Sequence, residues 1–331
     1  MTSLRPVLAS LVAWLLPVAP VFAGAAGAAA TAEHTLDNGV IQARVMDPNH
    51  PDRFNRGVRF TPLAAVLDVS RDGVEYLYSP EKHDPIHDHA GLAAEFDLCI
   101  PGGPPEHLPP GYEQAGVGEG FLKIGVGALK KGGKTYQFFQ VPELLEAAKT
   151  VAEWSADAVF YRQEYRGAHT PGHAYRLEAD LRLDGPGVVV EWRLFNTGRK
   201  PVTTRQYTHN FFRIADRDTG RGYVMSFPYD FQPRGLETGQ RQEGRDICFV
   251  GAIPRWINAV VPWPEGYSGP NTLTLRHTEA RRHIVCKTSL PGLRTDIHAR
   301  AGYIAPEQFV EITIASGESR SWKRHYIFGK D

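Results

Sequence analysis

Tyr175-Arg176-Leu177-Glu178-Ala179-Asp180-Leu181-Arg182-Leu183-Asp184-Gly185-Pro186-Gly187-Val188-Val189-Val190-Glu191-Trp192-Arg193-Leu194 alternates apolar and polar residues on both sides of a turn. Tyr175, Leu177, Ala179, Leu181 and Leu183 share one face. Asp184-Gly185-Pro186-Gly187 reverses the chain, and Val188, Val190, Trp192 and Leu194 resume the period. A period of two buries one face and wets the other, which predicts an antiparallel pair of strands. The pattern recurs outward from this hairpin. Asp37-Asn38-Gly39 opens the strand Val40–Val45, and Arg71-Asp72-Gly73 joins Leu63–Val69 to Val74–Tyr78. Phe121–Leu129 and Thr135–Phe139 flank Lys130-Lys131-Gly132-Gly133-Lys134, and Phe309–Ile314 returns through Ser316-Gly317-Glu318 as Trp322–Phe328. Turn residues that accept positive φ, set between β-forming runs, are the hairpin signal. The one predicted helix is Pro142–Val151. No repeat of propeller length is present, so the fold class is all-β, a large antiparallel β-sandwich.

The 331 residues carry 37 Lys+Arg against 37 Asp+Glu, a balance that removes the electrostatic drive for nucleic-acid binding. Residues 1–23 read as a signal peptide: Arg5 precedes an apolar run from Val7 to Val21, and Val21-Phe22-Ala23 fits a small-residue cleavage site. Residues 24–33 read as a disordered Ala-rich linker and 34–331 as a single β-sandwich domain. The expectation is a periplasmic or secreted protein with no membrane association once the leader is removed. Cys248 and Cys286 are the cysteines nearest in sequence; a disulfide between them and three buried thiols including Cys99 both fit the spacing.

Three segments hold chemistry. His83-Asp84-Pro85-Ile86-His87-Asp88-His89 packs three imidazoles and two carboxylates into seven residues. It reads as a solvated loop, a polar pocket wall or a metal site with His83, His87 and His89 as candidate ligands. Tyr207-Thr208-His209-Asn210-Phe211-Phe212 ends a strand in an imidazole flanked by rings. His209 can move a proton near neutral pH, and the rings offer apolar faces for a sugar to stack upon. Pro306-Glu307-Gln308-Phe309 places a carboxylate at a strand entry, and Glu95 lies in an apolar run where a carboxylate needs a partner.

In order, these segments resemble the aldose 1-epimerase (galactose mutarotase-like) superfamily. Leu36-Asp37-Asn38-Gly39-Val40 is similar to that family's opening Leu-x-Asn-Gly strand, and Asn55-Arg56-Gly57-Val58 to its Asn-x-Gly-Ala turn. Tyr207–Phe212 resembles its Asn-His-Ser-Tyr-Phe motif. Pro306-Glu307-Gln308-Phe309, Ser316-Gly317-Glu318-Ser319 and Tyr326-Ile327-Phe328 resemble its C-terminal pattern, with the base moved to the other side of the proline, where Ala305 stands. The resemblance implies a supersandwich fold, a sugar or oligosaccharide partner, no cofactor, and ring opening with anomer interconversion. It implies His209 as acid and Glu307 as base, with His87, His89, Arg56, Glu95 and Tyr207 binding substrate. The family's Leu-His-Gly-Gly segment has no clear match, and His87 or His89 stands in for its second histidine. A polysaccharide lyase, another carbohydrate-modifying enzyme and a non-catalytic carbohydrate-binding protein are the alternatives.

Overall fold

The computed structural model describes residues 32–80, 82–100, 107–253 and 255–331. The leader and most of the Ala-rich linker lie outside the described residues; the linker's last residue, Glu33, already belongs to the first strand. A nine-stranded sheet contains β1 (Glu33–Asp37), β2 (Gln42–Met46), β3 (Val66–Arg71), β4 (Val74–Glu75), β5 (Leu92–Phe96), β13 (Val202–Asn210), β17 (Ile257–Pro262), β20 (Arg294–Arg300) and β21 (Tyr303–Ile314). A ten-stranded sheet contains β9 (Lys149–Trp154), β10 (Ala158–Tyr165), β11 (Tyr175–Asp184), β12 (Gly187–Asn196), β14 (Tyr223–Ser226), β15 (Gln240–Glu243), β16 (Asp246–Phe249), β18 (Asn271–His277), β19 (Arg282–Thr288) and β22 (Ser319–Lys330). A small sheet contains β6 (Gly120–Lys123), β7 (Gly127–Lys130) and β8 (Leu144–Ala147). All the pairings are antiparallel, as the alternating pattern requires.

The quoted hairpin is β11 and β12, with Tyr175 opposite Asn196 and Leu183 opposite Val188. Its apolar face joins one buried cluster fed by both large sheets, in which Trp192 and Trp322 stack at 6.2 Å and Phe96 meets both edge-on. The Asn38-Gly39 turn joins β1 to β2: Gly39 has φ +77°, and the Asn38 side chain accepts from the amides of Val40 and Ile41. Between the sheets, fully buried Arg324 donates to Gln206 Oε1 (2.7 Å) and the Gln308 carbonyl (2.9 Å). Those acceptors sit on β13 and β21, so one satisfied guanidinium ties both strands to the opposite sheet.

Two expectations fail here, and the choice left open for the cysteines closes. Pro142–Val151 forms no helix: it supplies β8 and the first half of β9, because these residues pair with β7 and β10 and cross-strand pairing outweighs the helix preference of Leu, Glu and Ala. The hairpin read from Phe121 to Phe139 instead turns within its first half, β6 pairing with β7 and β8 completing the sheet, while Thr135–Phe139 forms no strand. Cys248 and Cys286 are free thiols, as is Cys99. β16 and β19 lie three strands apart in one sheet, about 14 Å, which no disulfide spans.

Candidate active site

The strand register assembles a site on the outer face of the nine-stranded sheet. In β20, Thr295, Ile297 and Ala299 are buried, which turns Arg294, Asp296, His298 and Arg300 outward. Glu307 lies opposite Asp296 on β21, and Ala93 lies opposite His209 on β5. β13 runs alongside β21, and His209 Nε2 sits 3.3 Å from Glu307 Oε1, each residue 5% exposed. The two groups touch, a closer approach than opposite edges of one sugar ring would set. The His209 ring stacks on Phe211 at 3.9 Å, with Phe60 and Tyr303 edge-on at 6.1 Å.

Burial disfavours charge on both members of the pair. It pushes the Glu307 carboxyl well above its ordinary range, helped by the facing Asp296, and holds the His209 imidazole well below its own, helped by the charge of Arg59. Both shifts favour a neutral carboxyl beside a neutral imidazole, the tautomer of a carboxylate–imidazolium pair. One proton is shared between two groups.

Arg59, which sequence reading passed over, supplies the cation. Its guanidinium lies between the Phe60 and Phe138 rings at 4.5 and 4.2 Å. Nε donates to Glu95 Oε2 at 2.8 Å and Nη2 to the Tyr207 hydroxyl at 2.9 Å. Glu95 and Tyr207 are wholly buried and hydrogen-bonded to each other, so they position Arg59 and do not contact a ligand, a correction to their expected role. Beneath them, fully buried Lys123 donates to Glu95 Oε1 at 3.1 Å and to the carbonyls of Phe96 and Asp97. Burial acts to raise the Glu95 pKa, but Arg59, Lys123 and the Tyr207 hydroxyl outweigh it and hold the carboxylate below its usual range. Lys123→Met strips one oxygen of a buried carboxylate of its partner; the expected cost is about 3 kcal/mol, read by denaturant unfolding.

The His83–His89 loop divides. His89 reaches the site, edge-on to Phe60 at 4.0 Å, and its Nδ1 is 2.9 Å from the Asn55 side-chain nitrogen. An amide N–H donating to Nδ1 leaves the ring proton on Nε2. Gly91 lets the loop enter β5 directly: its φ is +60°, and a Cβ there would stand 1.8 Å from the Val66 carbonyl oxygen. His87 does not reach the site; it is exposed and paired with Asp84 at 2.8 Å. His83 is likewise exposed and stacks on Phe54. No group of three metal-ligating side chains converges among the described residues, so the candidate metal set His83, His87 and His89 is not formed. Arg56 points elsewhere, 3.6 Å from Asp52 and hydrogen-bonded to the Pro51 carbonyl.

His298 is the other residue missed. Its ring lies 5.9 Å from that of His209, and its Nδ1 is 2.7 Å from Asn258 Oδ1 on β17. The signal was there: polar Asp296, His298 and Arg300 alternate with apolar residues, so a whole polar strand face awaited a function. A cleft of about 520 Å³ lies elsewhere, between Glu119, His169, His173 and Lys200. Lys200 precedes β13 and His209 lies one residue from its end, nine residues or about 30 Å apart along extended chain. The His209–Glu307 pair and this cleft are separate.

No family model matches the chain, and no curated protein matches it by sequence. Solved structures do. The Slr1438 protein from Synechocystis sp. PCC 6803 superposes with a TM-score of 0.60 at 15% identity, covering 90% of this chain and 96% of that one. A galactose mutarotase-like protein from Lactobacillus casei ATCC 334 gives 0.56 at 13%, covering 90% and 100%. Another from Clostridium acetobutylicum gives 0.57 at 11%, covering 90% and 95%. At such identities the likeness shows the fold: the chain has the galactose mutarotase-like sandwich.

Proposed function

We propose that this protein interconverts the anomers of a sugar by acid/base ring opening, and that it is exported, residues 1–23 acting as a cleaved leader. The observation that carries the first reading is the His209–Glu307 contact at 3.3 Å on neighbouring strands. Ring opening removes the proton of the C1 hydroxyl and delivers one to the ring oxygen. Both oxygens are bonded to C1, so a donor and an acceptor standing side by side, as this pair does, can reach both. From the neutral pair the opening roles are the reverse of those the resemblance implies: Glu307 gives its proton to the ring oxygen while His209 takes the hydroxyl proton. C1–O5 breaks, C1 becomes a carbonyl, and the pair becomes carboxylate and imidazolium. Rotation about C1–C2 turns the other carbonyl face to the chain oxygen. Closure then runs the transfers backwards, with His209 as acid and Glu307 as base. Every proton is returned.

Around the pair, the Phe60, Phe211 and Tyr303 rings offer apolar walls for the sugar's C–H face. His89 Nε2–H is placed to donate to a hydroxyl, and His298 Nε2 to accept from one. Arg59 places a fixed cation where negative charge gathers on the C1 oxygen. The galactose mutarotase-like description of the structural neighbours points to the same chemistry. Among the described residues no helix is long and apolar enough to cross a membrane.

Exchange NMR on a panel of free aldoses and uronates is expected to show anomer exchange above the buffer rate and saturable in sugar. A panel on which the wild type never exceeds buffer overturns the reading. For export, N-terminal sequencing of the protein recovered outside the cytoplasm is expected to begin at Gly24; an intact Met1 in the cytoplasm overturns it.

A further inference from the structure

The register sets the outward side chains of the site in rows. The catalytic row holds His209, Glu307 and Asp296. The next holds His298, opposite Ala305 on one side and Asn258 on the other. In the third, Arg300 lies opposite Tyr303, and continuing the Ile257–Ala299 pairing by one residue sets Trp256 opposite Arg300. From the first row to the third is four residues of strand, about 14 Å. That is longer than one pyranose and comparable to two.

Beyond Tyr303, which also walls the site, the third row changes character. Trp256 is 51% exposed, a large indole face left in water. Arg300 is exposed and held by no carboxylate among the described residues. Neighbouring arginines are paired: Arg213 with Asp216 and Asp218, Arg294 with Asp296, Arg255 with Glu237. The Arg300 charge reaches inward along the rows, since after burial it is the next cause holding His298 down at about 4. A sugar ring bound with C1 at the catalytic pair directs its far hydroxyls, the positions at which a further unit is linked, away from that pair.

We propose that Trp256 and Arg300 form a second saccharide subsite, so that the substrate is the reducing end of an oligosaccharide of at least two rings, the second ring stacking on Trp256 and presenting a uronate carboxylate to Arg300. The orientation of the reducing end rests on the anomer-exchange reading; the subsite itself does not. Aromatic faces bind the C–H faces of sugars, and a guanidinium matches a carboxylate in two-point geometry.

Calorimetric titration with galacto-, gluco- and manno-configured uronate dimers, the corresponding monomers and cellobiose tests it. The wild type is expected to bind one uronate dimer about tenfold or more tighter than its monomer. Trp256→Ala is expected to remove most of that gain, and Arg300→Ala to remove the preference for the charged dimer over cellobiose. Equal affinity for dimers and monomers, no dimer binding at all, or a gain that survives both substitutions overturns the subsite. Exchange NMR on the same sugars separates the two readings. Dimer-selective binding without exchange overturns the activity and leaves the subsite, while exchange without a dimer advantage overturns the subsite alone.

Discussion

His209→Ala is expected to lower anomer exchange by about 10²–10⁴-fold, the usual contribution of one positioned proton-transfer group. The imidazole is one half of a pair that gives and takes the same proton, and no neighbour replaces it: His89 and His298 are each hydrogen-bonded outward, to Asn55 and Asn258. The truncation leaves a ring-sized gap beside Phe211, where His209 stacks at 3.9 Å. Added imidazole is therefore expected to restore part of the rate in a concentration-dependent manner, which a merely structural role would not produce. Circular dichroism on the same sample checks that the sandwich is intact. Full exchange by a folded His209→Ala protein would remove the imidazole from the mechanism, and with it the proposed activity.

Glu307→Gln is expected to act on rate and stability in opposite directions. Exchange falls by a similar factor, because an amide can neither give nor take the proton. The stability effect follows from proton linkage. In the fold, burial and then the facing Asp296 hold the Glu307 carboxyl neutral, with its pKa well above 4.5. In the unfolded chain the same carboxyl ionises near 4.5. Its contribution is complete below that pH and is lost as pH rises toward the folded value, at about 1.4 kcal/mol for each unit. Glutamine has no proton to hold. The variant is therefore expected to match the wild type or fall slightly below it near pH 4 and to exceed it near pH 8, as read by Tm across a pH series. His209 contributes the reverse slope, since a buried neutral imidazole loses stability as pH falls below 6.5. A Glu307→Gln protein less stable than wild type at pH 8 would mean that the carboxylate is welcome in the site, as an ion-pair resting state requires.

The sites of failure in the sequence reading share a cause. Arg56 stands out in one dimension because it sits in the Asn55–Val58 motif; burial selects Arg59, three residues on, where two rings and a carboxylate hold it. His87 and His89 looked equivalent, yet alternate residues of an irregular loop face different surroundings, and only His89 turns inward. The resemblance implies Glu95 and Tyr207 as ligands, and their total burial makes them a foundation. None of these distinctions is carried by residue type.

What the chain determines locally is the alternation of apolar and polar residues, the turns at Asn38-Gly39, Asp72-Gly73 and Gly185, and thus the strands and the all-β class. It also marks His209 and Glu307 by kind, since an imidazole and a carboxylate at strand positions are visible in one dimension. Their meeting is not. They are 98 residues apart, and what joins them is the register of β13 against β21, held by the inward-facing Arg324 on the opposite sheet. Register is set by cross-strand and inter-sheet packing summed over many residues, so the distance that makes a proton-sharing pair, and the burial that keeps it neutral, exist only once the sandwich has closed.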